Sequence, residues 1–329
     1  MPTAHWQVPG EQIDVSDWPA DEEHPFFPEG SRDKRLLRCP HPPPWPWLTA
    51  GHRYLFKKSR AVYPDQFWAE VVASRLSRIT HVPVPPAYAA WDSSTGECAA
   101  LIEWFYGYPD DPPQGFLSGG MLLKASIPDF DHERGTQHNF QTIESWCLVL
   151  ARPHETAQRD LRLEEDWRPA WARMLAFDAL IGNTDRHQEN WGFVWTRILG
   201  DPTRPLRLSP AFDNGTSLGH ERQPDQFSRF DQPGYLQRYI DRGHHHMKWR
   251  IDDARGGGHA ELLLKFLEKF PQTREVMLEV LEFPLQSLED AVLPLTRLRL
   301  PTPLSIERAR FMLTLLEARR DYLLRALAQ

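Results

Sequence analysis

A polar run between two apolar segments has the residue types that phosphoryl transfer requires. Asp185 and Asn190 lie in this run, and Asp213 follows a later apolar segment. Kinases use an Asp-x-x-x-x-Asn loop, in which the Asp accepts a hydroxyl proton and the Asn binds Mg²⁺, together with a second Asp that also binds the metal. A single Asp in a loop is more often a turn former or a helix cap. The three residues together instead favour phosphoryl transfer.

The elements around this run are predicted to bring its polar residues together. Gly182 is a natural C-cap for a helix predicted over 167–181. The run then enters an apolar strand, and a second strand is predicted over 206–208. A turn at 200–202 would fold the two strands into a hairpin that places Asp185, Asn190 and Asp213 close together.

An earlier strand and helix supply a cation and a carboxylate. A kinase needs a Lys on a strand to hold the α- and β-phosphates and a helix carboxylate to position that Lys. Lys57 lies on the predicted strand 53–58, and Glu70 lies beside the apolar face of the next helix. A charge in that place needs a partner. We predict Lys57, with Lys58 as the alternate because alternation lets only one of them face the cleft; a surface Lys pair with a solvated Glu is the competing interpretation.

The end of the last predicted strand of this unit, 99–105, is a candidate adenine site. Glu103 and Phe105 directly precede a Pro- and Asp-rich break at 108–113 that is a plausible hinge. From this chain position, the backbone groups of Glu103 to Phe105 are predicted to hydrogen-bond the adenine of ATP.

The distribution of strands and helices predicts an α+β, two-lobed fold. Residues 1–50 are predicted to be a Pro-rich, poorly regular lead-in, with regular structure starting after Gly51. Its segment 39–47 is expected to pack through its tryptophans as an extended arm, or else to bind a partner as polyproline II. Residues 51–107 are predicted to form a small α/β N-lobe and residues 108–329 a mostly helical C-lobe. One helix is predicted to open at 63–65 and to be ended by the Pro-rich segment 82–86, and further helices are predicted over 140–150, 167–181, 259–270, 273–282 and 305–328.

Composition narrows the functional classes. The chain has 329 residues, of which 41% are hydrophobic and 25% charged, so it can bury a sizeable core. The net charge of -7 argues against direct nucleic-acid binding. We expect no membrane span and no secretory signal in the N-terminal segment. The three cysteines have neither disulfide nor zinc spacing, which fits a cytoplasmic location.

Two other motifs predict no chemistry. The run 244–246 consists of three histidines. Consecutive side chains on regular structure cannot all face one ion, so a loop or a polar surface facing the substrate is favoured over a metal site. The glycines of 256–258 lack the flanking strand and Lys of a phosphate-binding loop and are predicted to be a flexible linker.

Two segments together resemble those of the HipA-type serine/threonine kinases of bacteria. They are Gly182-Asn183-Thr184-Asp185-Arg186-His187-x-x-Asn190 and Leu208-Ser209-Pro210-Ala211-Phe212-Asp213-Asn214-Gly215-Thr216-Ser217. The same loop is similar to that of phosphatidylinositol 3- and 4-kinases. The segments 54–57, 66–70 and 82–86 look like the matching N-lobe. The resemblance covers roughly residues 50–270.

This resemblance implies a protein-kinase-like fold that binds ATP and Mg²⁺ between its lobes. Carried over to this sequence, Asp185 is the catalytic base, Asn190 and Asp213 are the Mg²⁺ ligands, and Lys57 holds the phosphates. His187 helps to order the catalytic loop. Family members are often toxins that pair with a helix-turn-helix antitoxin, and their targets include aminoacyl-tRNA synthetases, phosphorylated on serine.

The sequence also departs from the family pattern. Longer members carry an extra N-terminal subdomain, so the short Pro-rich lead-in indicates the single-core branch. Some relatives autophosphorylate a serine in the loop before the Lys, but residues 42–56 contain no serine. Two other functions stay open at this point: a lipid kinase, and a nucleotide-binding regulatory module without catalysis.

Overall fold

The first sheet of the computed structural model carries Lys57. The structure describes residues 5–22, 33–152 and 160–328. The sheet has the order β1-β4-β5-β3-β2, and its pairs are antiparallel except for β1 with β4. Its elements, with the helix that follows β3, are β1 (Ile13–Asp14), β2 (Lys34–Arg38), β3 (Arg53–Lys58), α1 (Gln66–Thr80), β4 (Ala87–Asp92) and β5 (Glu97–Glu103).

Alternation along β3 decides which lysine faces α1. Tyr54 and Phe56 are both 0% exposed and pack on the face of the sheet opposite to α1. Lys57 projects from the other face, where its ammonium group meets Glu70 of α1. Lys58 instead binds Glu97 of β5 at 2.7 Å. Lys57 is therefore the lysine that the sheet directs toward α1.

The prediction that regular structure begins only after Gly51 is wrong. β1 and β2 lie earlier in the chain and pair into the sheet, Ile13 with Ala90 and Lys34 with Lys57. Two such short strands gain their stability from these distant partners rather than from local sequence. The rest of the lead-in, residues 1–4 and 23–32, lies outside the described residues.

The Pro-rich stretch 39–47 packs against its own lobe through tryptophans, as predicted for an extended arm. The Trp45 indole donates to the carbonyl oxygen of Gln12 at 3.0 Å. The Trp47 ring lies 4.5 Å from that of Tyr88. The lobe boundaries near residues 50 and 107 stay predictions.

A second sheet carries the candidate catalytic loop. Its order is β6-β8-β9-β7, and β8 and β9 form the predicted antiparallel hairpin, with Phe193 opposite Leu208. The helix before β8 ends at Ile181, and Gly182, with a left-handed φ of 67°, is its C-cap as predicted. The elements are β6 (Gln114–Ser118), α2 (Gly119–Ser126), α3 (Phe140–Ala151), β7 (Leu161–Leu163), α4 (Trp167–Ile181), β8 (Gly192–Thr196) and β9 (Arg204–Leu208).

Helices complete the larger lobe. α4 is central to the core, with Trp171 and Phe177 both 0% exposed, and it packs against α6, α7 and α9. The predicted helices are present with ends shifted by a few residues at most, whereas β6, β7, α2, α5 and α8 were not predicted. In the described residues no helix is long and apolar enough to cross a membrane. The remaining helices are α5 (Tyr235–Asp241), α6 (His259–Lys269), α7 (Arg274–Leu281), α8 (Leu285–Val292) and α9 (Ile306–Leu327).

Candidate active site

Lys57 makes ion pairs with two carboxylates from different elements. Its Nζ lies 3.0 Å from Oε1 of Glu70 on α1 and 2.6 Å from Oδ1 of Asp213, beyond β9. Lys57 is 4% exposed and Glu70 3% exposed, so each buried charge has its counter-charge. The structure thus joins three of the predicted site residues by direct contact.

The loop after α4 holds Asp185 and Asn190 against one another. The Asn190 side-chain Nδ2 donates to the backbone oxygen of Asp185 at 2.7 Å. The Thr216 hydroxyl lies 3.4 Å from Oδ2 of Asp185. His187 forms two hydrogen bonds in the turn between them. Its ring Nδ1 accepts from the backbone N–H of Glu189 at 3.2 Å, and its backbone N–H donates to the backbone oxygen of Asp185 at 2.8 Å.

Arg186 connects this loop to the Asp213 segment, and sequence reasoning missed its role. Its guanidinium, 0% exposed, binds Asp178 of α4 through two nitrogens, at 2.7 and 3.0 Å. It also donates to the backbone oxygen of Asn190 at 2.9 Å, to Oδ1 of Asn214 at 2.8 Å and to the backbone oxygen of Phe212. One side chain therefore fixes the positions of Asp185, Asn190 and Asp213 relative to each other.

Asp178 remains ionised at the centre of the core. Burial alone would raise the pKa of its carboxyl group, but the charge of Arg186 and hydrogen bonds from His245 and Arg186 lower the pKa well below its usual value. The His245 Nδ1 accepts from the Met247 N–H at 3.0 Å, so its Nε2 is the nitrogen that donates to Asp178, at 3.2 Å. A signal for this cluster was present in the sequence: Asp178 is the one charge in the apolar run 174–181.

The backbone at Asp213 is unusual. Its φ is 56°, in the left-handed region that non-Gly residues seldom adopt. The N–H of the next residue, Asn214, donates to Oε2 of Glu70 at 2.8 Å. The turn therefore presents the Asp213 carboxylate to Lys57 while its backbone is anchored to the same helix carboxylate.

The Glu103 side chain has hydrogen-bond partners within the fold. Its buried carboxylate accepts from the hydroxyls of Tyr54 at 2.8 Å and Tyr108 at 2.6 Å. Burial raises the pKa of Glu103, and these two hydrogen bonds only partly oppose the effect. The Glu103 side chain thus ties the end of β5 to β3 and to the chain that follows.

The backbone of this segment is partly committed to the fold. The Glu103 N–H donates to the oxygen of Pro86 at 2.8 Å, and the Trp104 N–H donates to the oxygen of Arg53 at 3.0 Å. Phe105 stacks on Phe212, the residue before Asp213, with ring centroids 5.0 Å apart. Adenine recognition by this segment stays a prediction, and it now depends chiefly on the backbone of Phe105.

The donor set around the two loops suits Mg²⁺. Because Nδ2 of Asn190 is used on Asp185, its Oδ1 is the atom available to a cation, and the Asp213 carboxylate is partly exposed at 27%. Mg²⁺ prefers one or two such protein oxygens together with substrate phosphates. Among the described residues, no group of three or more His, Cys, Asp or Glu side chains is placed to hold a metal. The histidines of 244–246 accordingly form no such group.

Comparisons with known proteins find similarity in structure rather than in sequence. No family model matches the chain, and no curated protein matches it. The crystal structure of the Helicobacter pylori proinflammatory kinase CtkA superposes with a TM-score of 0.69 at 15% identity, over 96% of each chain. HipA of Shewanella oneidensis MR-1, solved with HipB and operator DNA, superposes with a TM-score of 0.54 at 15% identity, over 94% of this chain and 67% of that one. Both structures are kinases of the HipA type, and the two-lobed α+β fold predicted from the sequence is the fold that this chain shares with them.

Proposed function

We propose that this chain is an ATP- and Mg²⁺-dependent kinase that phosphorylates serine or threonine in a protein. The observation that carries the proposal is the contact of Lys57 with both Glu70 and Asp213. A strand lysine, a helix carboxylate and the Asp of the metal-binding segment are the parts that must be assembled for phosphoryl transfer in kinases. The shared fold supports the same reaction class.

Each residue of the site has a task in this reaction. Lys57 binds phosphate oxygens of the nucleotide, and Glu70 keeps the Lys57 side chain extended. Asn190 and Asp213 would hold the metal ion. A metal ion held there would neutralise the negative charge that develops on the phosphates.

Asp185 accepts the proton of the substrate hydroxyl. Its carboxylate must point at the acceptor throughout the reaction, and the hydrogen bonds of Asn190 and Arg186 to the loop hold it there. A base positioned in advance need not reorganise during the reaction, which is the main source of its effect.

Partners follow from the family resemblance. HipA of Shewanella oneidensis was solved with HipB and operator DNA. We propose a helix-turn-helix antitoxin as the partner of this chain, and a toxin role that acts on a translation component such as an aminoacyl-tRNA synthetase. Cys39, Cys98 and Cys147 are free thiols, which supports a cytoplasmic location.

The test is transfer of labelled γ-phosphate from ATP with and without Mg²⁺. We expect Asp185→Asn to reduce the rate about 10²–10⁴-fold, because it keeps the side-chain shape but removes the proton acceptor. Asp290→Asn, at an exposed position on α8, is the matched control and keeps full activity. Equal rates for Asp185→Asn and the wild type would refute the proposal. Transfer to phosphatidylinositol vesicles but to no protein would replace it with the lipid-kinase function.

A further inference from the structure

A cavity of about 520 Å³ opens beside the catalytic loop. Thr184 and Thr216 form one wall, whereas neither Lys57 nor Asp213 lines the cavity. Thr184 is the neighbour of Asp185, and the Thr216 hydroxyl lies 3.4 Å from the Asp185 carboxylate. The cavity is therefore separate from the nucleotide contacts but adjoins the proposed base.

The lining of this cavity is cationic. It includes four arginines and a single glutamate, Glu221. That carboxylate is already used: it accepts from the Tyr239 hydroxyl at 2.9 Å and pairs with Arg222 at 3.2 Å. The lining therefore holds no second carboxylate to form ion pairs with the other three arginines.

These three arginines are Arg238, Arg242 and Arg319. Across residues 5–22, 33–152 and 160–328, none of them forms an ion pair with a carboxylate. Arg238 and Arg242 are exposed at the rim of the cavity, so water solvates them. Arg319 belongs to α9 and is only 5% exposed.

Arg319 is the unusual member of this set. Its Nε has no hydrogen-bond partner within the part of the chain that the structure describes. Its guanidinium lies against Gly182, where an added Cβ would come 2.5 Å from the Arg319 Cζ, and 5.7 Å from the ring centroid of Tyr239. A buried cation whose hydrogen bonding is incomplete is unfavourable unless a ligand completes its partners.

We propose that this cavity, the arginine pocket, binds the phosphate of a phosphorylated side chain in the protein substrate, a few residues from the acceptor hydroxyl. The proposal rests on the function proposed above. Guanidinium groups bind phosphate through paired, charge-assisted hydrogen bonds. A phosphate monoester carries about two negative charges and three strong acceptor oxygens. It therefore matches three arginines that form no ion pair among the described residues better than a ligand with a single carboxylate would.

The position of the arginine pocket favours a polypeptide source for the phosphate. An extended peptide advances about 3.3 Å per residue, so a residue close to the acceptor would reach a cavity that begins beside Asp185. Tyr235 and Tyr239 provide apolar lining for the stem of a side chain. The substrate class is therefore a protein already phosphorylated near its acceptor serine or threonine.

Binding of short alanine peptides to the full-length Asp185→Asn protein tests this proposal without turnover. Each peptide has a central serine and one phosphoserine. The phosphoserine is placed in turn at each of the remaining positions, and matched peptides carry glutamate or alanine in place of the phosphoserine. We expect the best phosphoserine peptide to bind about 10- to 100-fold more tightly than its alanine counterpart, with the glutamate peptide between them. Arg319→Met and Arg238→Met should remove this preference, and Arg325→Met, at an exposed position on the same helix α9, should retain it.

Several results would overturn the proposal. One is equal binding of phosphoserine and alanine peptides at every position, and another is a preference that survives both Arg319→Met and Arg238→Met. Arg238 is at the exposed rim, so its variant keeps the test decisive if Arg319→Met does not fold. Binding of inorganic phosphate or of single-stranded RNA, lost in Arg319→Met but without a phosphopeptide preference, would assign the arginine pocket to another ligand. Because the measurement needs no catalysis, its failure is distinguishable from failure of the kinase assay.

Discussion

Two buried arginines contact the catalytic loop region, Arg186 within the loop and Arg319 on helix α9, and they differ in their surroundings. Arg186 has a carboxylate, two backbone oxygens and an amide oxygen as partners. Arg319 stands against Gly182, at the start of the same loop, and its Nε has no hydrogen-bond partner in the described parts of the chain. Burial lowers the pKa of Arg319, and Tyr239 and Glu221 only partly oppose this effect.

This difference in hydrogen-bond partners distinguishes a charge that stabilises the structure from a charge that is available to bind a ligand. A buried ion pair with complete hydrogen bonding holds a loop in one conformation, and breaking it leaves an uncompensated charge. A buried cation with incomplete partners does not stabilise the fold. The comparison therefore assigns Arg186 to the architecture of the site and Arg319 to binding.

The largest effect is expected from Arg186→Met. It leaves Asp178 buried without its counter-charge, so the free energy of unfolding should fall by about 3–5 kcal/mol, and kinase activity should fall with it because the loop loses its anchor. Urea unfolding with Arg325→Met as the control measures the first effect. A loss below about 1 kcal/mol would show that Arg186 is not the structural charge.

Lys57→Met extends the comparison to the proposed nucleotide site, where a buried lysine pairs with two carboxylates. We expect the rate of phosphoryl transfer to fall about 10²–10³-fold, the usual effect of removing one group that stabilises the transition state. Lys58→Met is the matched control, because Lys58 follows directly on β3 and pairs with Glu97 instead. Initial rates at saturating ATP check this, and equal losses in the two variants would contradict the assignment of Lys57.

The stability of the protein should depend on pH through His259, which is affected by the charge of Arg319. Burial, and then the charge of Arg319, lower the pKa of His259 to about 3, whereas an unfolded His titrates near about 6.5. The unfolded chain therefore binds a proton that the folded protein excludes, and stability present above pH ~6.5 is lost as the pH falls toward ~3. The contribution of one such group has a slope of at most about 1.4 kcal/mol per pH unit.

His259→Gln isolates this contribution, since the Gln side chain still has an N–H to replace the 2.7 Å bond to the Asn183 oxygen. The free energy of unfolding of the wild type, measured from pH 7 to pH 5, should decline more steeply than that of the variant. Parallel pH profiles would show that His259 is not kept neutral by its surroundings.

The smallest effect on stability is expected from Arg319→Met. Among the described residues Arg319 has an Nε without a hydrogen-bond partner. Replacing this incompletely bonded buried charge with an apolar side chain should leave the free energy of unfolding within about 1 kcal/mol of the wild type or raise it. Urea unfolding beside Arg186→Met tests the opposite behaviour of the two arginines. A loss as large as that of Arg186→Met would remove the distinction between them.

The polar site residues were predictable because their types stand out against apolar surroundings. Asp185, Asn190 and Asp213 interrupt helix and strand patterns, and the position of Glu70 beside the apolar face of its helix indicated a cation partner before Lys57 was seen to contact it. The hairpin of β8 and β9 followed from two apolar runs with a turn between them. Local sequence carries these signals.

The remainder depends on distant contacts. The pairing of Ile13 with Ala90 has no local signature, so β1 was missed. The partners of Arg186 come from three separate segments, and only the tertiary fold shows that they converge. Arg319 fits the helical pattern of α9 whether or not it faces a cavity, so its environment was not predictable from spacing.

The left-handed backbone of Asp213 sets stability against function at one position. An L-residue in that conformation is about 1 kcal/mol less stable than glycine would be. Selection of variants for thermal resistance should therefore enrich glycine at position 213, whereas selection for phosphoryl transfer should eliminate it, because glycine has no carboxylate to pair with Lys57 or to hold the proposed metal ion.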